Sequence, residues 1–185
     1  VDGATYPEQV TVRNFTNNGS SITIYADPAS GMRPVISPLT LSTAAFQIAN
    51  ASVNIQGIDI IPANAMNWGV LSSSAQVTVS SVNILGANGL IKFAAMQLSR
   101  HDAVAYSSVT VTAAHGYYLL GSSMTTISYS SAQVDSASFH ALSVNSASSN
   151  TFIVVFATNA SGPGAYVNAG SSWTTISQST ITSGG

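Results

Sequence analysis

The sequence contains no cysteine, which excludes a disulfide framework, a thiol nucleophile and any cysteine-ligated metal site. Charge is almost as scarce. Six acidic and four basic side chains among 185 residues leave a net charge of −2, where about a quarter of an ordinary domain is charged. Four cations (Arg13, Arg33, Lys92 and Arg100) cannot track a phosphate backbone, so no nucleic acid is expected as a partner. No Asp, Glu, Lys or Arg follows Asp135, yet Ser, Thr, Asn or Gly interrupts that stretch every few residues, so no membrane insertion is expected. Capped helices with apolar spacing of three and four are nearly absent. Val1 is not an initiator and Val1–Tyr6 is not a signal peptide, so residues 1–185 read as one domain cut from a longer chain.

What is present is a core-forming chain of unusual texture. The hydrophobic fraction is 45%, so the low charge does not signal disorder, which needs low hydrophobicity as well. Ser and Thr together number 48. Apolar and polar residues alternate in Val10-Thr-Val12, Ser21-Ile-Thr-Ile24, Val53-Asn-Ile55, Ile58-Asp-Ile60, Gln76-Val-Thr-Val79 and Val109-Thr-Val111. These are short strands with one buried face, separated by Ser, Asn, Gly or Ala.

The strands recur with a period. Val12, Ile36, Ile60 and Ile84 are 24 residues apart, and Val111, Val134, Thr158 and Ile181 follow at 27, 23, 24 and 23. Ser122-Ser-Met-Thr-Thr-Ile127 returns 49 residues later as Ser171-Ser-Trp-Thr-Thr-Ile176, about two periods on, and Ser72-Ser-Ser74 fits the same phase. A further apolar stripe joins Ile22, Phe46, Val70, Phe93 and Tyr117. A step near 24 with three short strands per step predicts an all-β fold, a single right-handed parallel β-helix of seven or eight coils stacked at about 4.8 Å. Evenly spaced strands also suit a β-sandwich, which has no reason to keep so strict a step. The inward positions are Val10, Ile36, Ile58, Ile60, Val82, Ile84, Val109, Val111 and Val134. The 27-residue step predicts a loop near Leu98–Ala103.

The runs Ala51–Ile60 and Trp68–Val79 resemble the coils of pectin-lyase-like β-helices. Asp2–Tyr6 with Val10–Val12, and Ile22–Ile24 with Ala26-Asp-Pro28 and Val35-Ile36, look like the first two. The Ser/Ala/Thr-rich, charge-poor texture is most similar to the central domains of bacteriophage tailspikes and fibres. That resemblance covers nearly the whole chain. It implies a virion protein, a parallel homotrimer with its axis along the fibre, and contacts with other virion proteins. Lyases of the superfamily carry clustered Asp with a Lys or Arg base, and no such cluster is present here, so no catalytic residue carries over.

The candidate chemistry is sparse. Glycoside hydrolysis uses two carboxylates roughly 5–10 Å apart. Asp2, Glu8, Asp27, Asp59, Asp102 and Asp135 are the acids, and no two share a phase in adjacent coils; Asp59 and Asp135 are three coils apart. A site shared between subunits escapes this argument. His101, His115 and His140 are too scattered for a metal site, and His101 and Asp102, adjacent on a strand, point oppositely. Of Tyr117 and Tyr118, one faces in and one out. Trp68 and Trp173 stand at turns. Gly19, Gly57, Gly86, Gly116 and Gly121 read as corner residues, and no phosphate-cradling motif exists, so no cofactor is expected. Asn14-Phe-Thr16, Asn18-Gly-Ser20, Asn50-Ala-Ser52 and Asn159-Ala-Ser161 match the glycosylation acceptor, as chance predicts in so Asn- and Ser-rich a chain.

The expected ligand patch is Arg100, His101, Asp102 and Tyr118, because extra residues of a solenoid leave as loops and Arg and Asp grip hydroxyls through charge-assisted hydrogen bonds. Arg100 and Asp102 pairing with each other or with a neighbouring subunit is the structural alternative. The function expected is a structural and receptor-recognition module of a phage fibre or spike, contacting bacterial surface polysaccharide without turnover. A polysaccharide-degrading tailspike and a bacterial surface adhesin are the alternatives.

Overall fold

Alternation with period two puts every second side chain on one side of a strand; repeated every 24 residues or so, it stacks like on like. The computed structural model describes residues 2–15 and 19–184 and is a right-handed parallel β-solenoid of about six turns. Each turn has three faces. The first carries Val10–Phe15, the start of Ser42–Gln56, Met66–Ser73, Ile91–Leu98, His115–Leu120, Leu142–Asn145 and Ala165–Val167. The second carries Ile22–Tyr25, the end of Ser42–Gln56, Gln76–Ser80, Ala103–Ala105, the starts of Thr126–Val134 and Thr151–Asn159, and Thr175–Ser177. The third carries Thr5–Tyr6, Val35–Ile36, Asp59–Ile60, Asn83–Gly86, Ser108–Val111, the ends of the two long strands, and Thr180–Ser183. Every pairing is parallel.

On the third face Ile36, Ile60 and Ile84 stack as the 24-residue step requires. All nine predicted inward residues pack in the core or against it. The ladder then departs from the predicted anchors. Ile84 pairs with Val109 rather than Val111, and the column continues through Ala132 and Ala157 to Ile181. Val111 and Val134 form a second inward column that runs on to Asn159, not Thr158. The 27-residue step is thus a 25-residue turn plus a shift of one inward position. No extra loop exists at 98–103. The additional residues lie in the turn between Gly86 and Ile91 and in an irregularity between Ile91 and Ala94.

The start of the chain differs more. Val12 pairs with Ile48 on the first face and Ile36 with Tyr6 on the third, so Val12 and Ile36 share no column. Val10 to Phe46 takes 36 residues, a long turn that includes the short helix Pro28–Ser30. Ile22 lies on the second face opposite Val53, and the stripe through Phe46, Val70 and Tyr117 passes through Met96 instead of Phe93. The two serine-rich repeats are two turns apart, with Ser123, Ser148 and Ser172 bridged in succession. Ser72 belongs to the first face and stands outside that phase.

The corners explain the serine. Between the second and third faces a single left-handed residue turns the chain at each rung: Gly57, Ser81, Tyr106, Tyr129, Val154 and Gln178 all have positive φ. A non-glycine residue there costs roughly 1 kcal/mol. Just inside, Ser107, Ser130 and Ser179 each accept an N–H from the preceding rung at 3.0–3.2 Å and donate to a carbonyl two residues back at 2.7–2.9 Å. A small hydroxyl does both inside a dry corner, where an unpaired amide is costly. Arg33 clasps three turns from outside, pairing with Asp59 at 2.6 Å and donating to the carbonyls of Ile58 and Ser81.

Gly86 and Gly116 are not corner residues. Both lie in strands and face inward, and a Cβ on Gly116 would sit 2.5 Å from the Ala141 carbonyl oxygen and 2.8 Å from the Ala132 Cβ. Neither neighbour moves without displacing a rung. Gly116→Ala is therefore expected to lower the unfolding free energy by about 1–3 kcal/mol in urea titration; an unchanged midpoint would show that the rungs are not held at this separation.

Candidate functional site on the outer faces

Of the predicted patch, Arg100 and His101 are exposed, His101 at a left-handed corner position with φ 59°. Asp102 is turned the other way and is 1% exposed. Its Oδ1 accepts the Val77 N–H at 2.7 Å and its Oδ2 the Ser99 N–H at 2.6 Å. Burial pushes this carboxyl above its ordinary range, against the pull of those two amides. Asp102 thus completes an inner corner that Thr125 and Asn150 continue on later rungs, where the Thr125 N–H donates to Asn150 Oδ1. No Arg100–Asp102 ion pair is formed. Tyr118 stands on the first face within a ring cluster, not beside His101.

That cluster is a run of packed rings spanning several rungs. Tyr117 points into the core, where its hydroxyl meets the Ser131 carbonyl at 3.0 Å; Tyr118 points out but is only 9% exposed. His115 stacks on Tyr118 at 5.1 Å and on His140 at 5.3 Å, and His140 stacks on Tyr166 at 5.0 Å. Phe93 packs edge-on against Trp68, His115 and Tyr118, and Phe139 closes against His115. The irregularity in Ile91–Leu98 is what admits Phe93: its extra residue turns the ring outward between Trp68 and Tyr118.

Two imidazoles one rung apart differ in partner. His115 Nδ1 accepts the His140 backbone N–H at 3.0 Å, which fixes the neutral ring with its proton on Nε2. Burial, reinforced by His140, holds His115 down to about 4. The register that places Leu142 on Ala165 puts Pro163 opposite His140. Proline has no N–H to give, and His140 Nδ1 is buried without a partner. Burial lowers His140 as well.

The second corner carries Tyr106 and Tyr129, stacked at 5.2 Å and 9°. Trp173 occupies the corresponding position of the first corner on the last rung and is 83% exposed, whereas Trp68 lies within Met66–Ser73 and is half-buried. On the third face, outward side chains form a column: Thr110, Gln133, Thr158 and Thr182. With Asp135 beside it, this column lines a groove of about 440 Å³.

Asp59, Asp102 and Asp135 are not brought together. The Asp59 column runs through Asn83 and Ser108 to Ser131 and does not contain Asp135, and Asp102 is at a different corner. Among the described residues no group of three His, Asp or Glu is placed to hold a metal. Of the glycosylation matches, Thr16 and Asn18 lie outside the described residues. Asn159 is buried, its amide donating to the carbonyls of Ser136, Phe139 and Pro163, so it is an internal anchor and no acceptor. No protein-family model matches the chain, and neither a curated protein nor a solved structure matches it.

Proposed function

We propose that this chain is a structural and receptor-recognition module of a phage fibre or spike, and that it contacts bacterial surface polysaccharide without turnover. The observation that carries this reading is the outer surface itself. Neutral hydroxyl, amide and aromatic side chains repeat along the solenoid, while Asp59, Asp102 and Asp135 stand in separate columns. A rod of that kind offers an extended polymer many equivalent weak contacts and no acid–base pair. So uncharged a surface offers little resistance to association, which suits a parallel homotrimer among other proteins of a virion.

The test incubates the protein with polysaccharide extracted from bacterial surfaces and follows retention and polymer size together. Retention with an unchanged size distribution is expected. A falling polymer size would replace this reading with the hydrolase or lyase. A stable monomer by light scattering at micromolar concentration would remove the trimer.

A further inference from the structure

We infer that Tyr106 and Tyr129 form a site of oxidative coupling, where a one-electron oxidant joins the two phenol rings by a carbon–carbon bond and staples successive rungs. This does not depend on the polysaccharide reading. The ring centroids are 5.2 Å apart and the planes are inclined by 9°. Ala105 pairs with Ser128, so the two tyrosines hold the same corner position one turn apart, and the backbone register keeps their rings together. The turn itself does not call for an aromatic ring, since Gly57, Ser81, Val154 and Gln178 fill the same left-handed position on other rungs. Tyr106 at φ 51° and Tyr129 at φ 47° accept that strain, and strained positions are where a function is worth seeking.

The pair is also the one open to an oxidant. Tyr106 is 63% and Tyr129 54% exposed. They border a shallow depression completed by Val154, Phe156 and four serines, so no Met, Trp or His lies there to divert the oxidation. The other phenols are placed differently. Tyr117 is in the core and Tyr118 is enclosed. Tyr166 stacks on an imidazole of the first face, Tyr6 donates to Asp2 Oδ1, and Tyr25 stands three rungs before Tyr106.

The chemistry balances with hydrogen peroxide as oxidant and a haem peroxidase to deliver it. Each phenol gives up one electron and one proton, leaving a radical with spin on the carbons ortho to oxygen. One ortho carbon of each ring forms the new bond, and the proton on each joined carbon passes to its own ring oxygen, restoring two phenols. The two electrons and two protons released reduce one peroxide to two waters. Offset-stacked rings need only turn about their side-chain bonds to bring ortho carbons together, and exposed corner side chains are free to do so. The chain has no cysteine, so this bond would supply the covalent link between rungs that a disulfide supplies elsewhere.

The experiment treats the full chain, at low micromolar concentration, with a haem peroxidase and limiting hydrogen peroxide. The expected product is a single-chain species two hydrogens lighter, fluorescing as a biphenol, whose peptide map links Tyr106 to Tyr129. Tyr106→Phe and Tyr129→Phe retain the stacked rings and should each lose that link, whereas Tyr166→Phe should keep it. The chain unfolded in urea before oxidation should scatter its links among the seven tyrosines. The coupled protein should then unfold at higher urea than the untreated one, because its unfolded state carries a closed loop. Coupling only between chains, a single-chain link that survives Tyr106→Phe, or the same distribution of links from folded and unfolded protein overturns the assignment. So does an absence of biphenol in the protein while free tyrosine in the same vessel is coupled. An unchanged urea midpoint in the coupled protein overturns the staple.

Discussion

Urea unfolding at pH 4.5 should reach its midpoint at distinctly lower denaturant than at pH 7, and His115 should account for much of the difference. Its imidazole is held down to about 4 in the fold against about 6.5 in an unfolded chain. Between those values the unfolded state binds the proton and the folded state does not, so stability present above pH 6.5 is lost as pH falls toward 4. The full shift corresponds to about 3 kcal/mol. The structural cost is visible: a proton on His115 Nδ1 would confront the His140 N–H it now accepts and place charge 5.3 Å from a second imidazole. His140, lowered by burial, adds in the same sense. Asp102, raised by burial, works in the opposite sense, because the folded state keeps its proton to higher pH. His115→Gln should flatten the pH dependence between 6.5 and 4.5. An equally steep loss in that variant would locate the effect elsewhere.

Asp102→Ala should lower the unfolding free energy by about 2–4 kcal/mol, because the Val77 and Ser99 amides lose their acceptors inside a corner that water does not reach. Arg100→Ala, one residue before, should stay within about 0.5 kcal/mol of wild type, since that side chain is exposed. Asp102→Asn keeps one acceptor and turns an amide N–H toward the other donor, so it should fall between the two. Equal stability of Asp102→Ala and Arg100→Ala would show that the carboxylate is not part of the corner. The comparison also assigns the predicted patch: a cell-binding loss in Asp102→Ala that merely follows its loss of fold would leave Arg100 and His101 as the exposed members.

How much of this was legible can be followed residue by residue. Ile36, Ile60 and Ile84 stack because their turns have equal length and each presents the same inward parity. The period alone sets Val111 over Ile84, where Val109 stands, because both Val109 and Val111 are inward aliphatics two residues apart; a period does not choose between two columns of one strand. The serine excess was plain, but its cause was not. Whether Ser107 is an outward polar residue or an inner corner hydroxyl depends on a left-handed turn at Tyr106, and a tyrosine gives no local signal for positive φ.

Sequence by itself determined the architecture: alternation sets which side of each strand is apolar, and a repeat near 24 residues forces like to stack on like, both being local regularities that summation over the chain makes unambiguous. Tertiary structure alone decided the surface. Trp68, Phe93, His115, Tyr118, His140 and Tyr166 are scattered over nearly a hundred positions, and they meet because an extra residue in one strand turns Phe93 outward and because the turns register His115 on His140. Pro163 leaves His140 Nδ1 without a donor because it falls opposite His140. Such contacts depend on small differences between the lengths of successive turns, and a single residue of slip moves a side chain to the other side of the sheet.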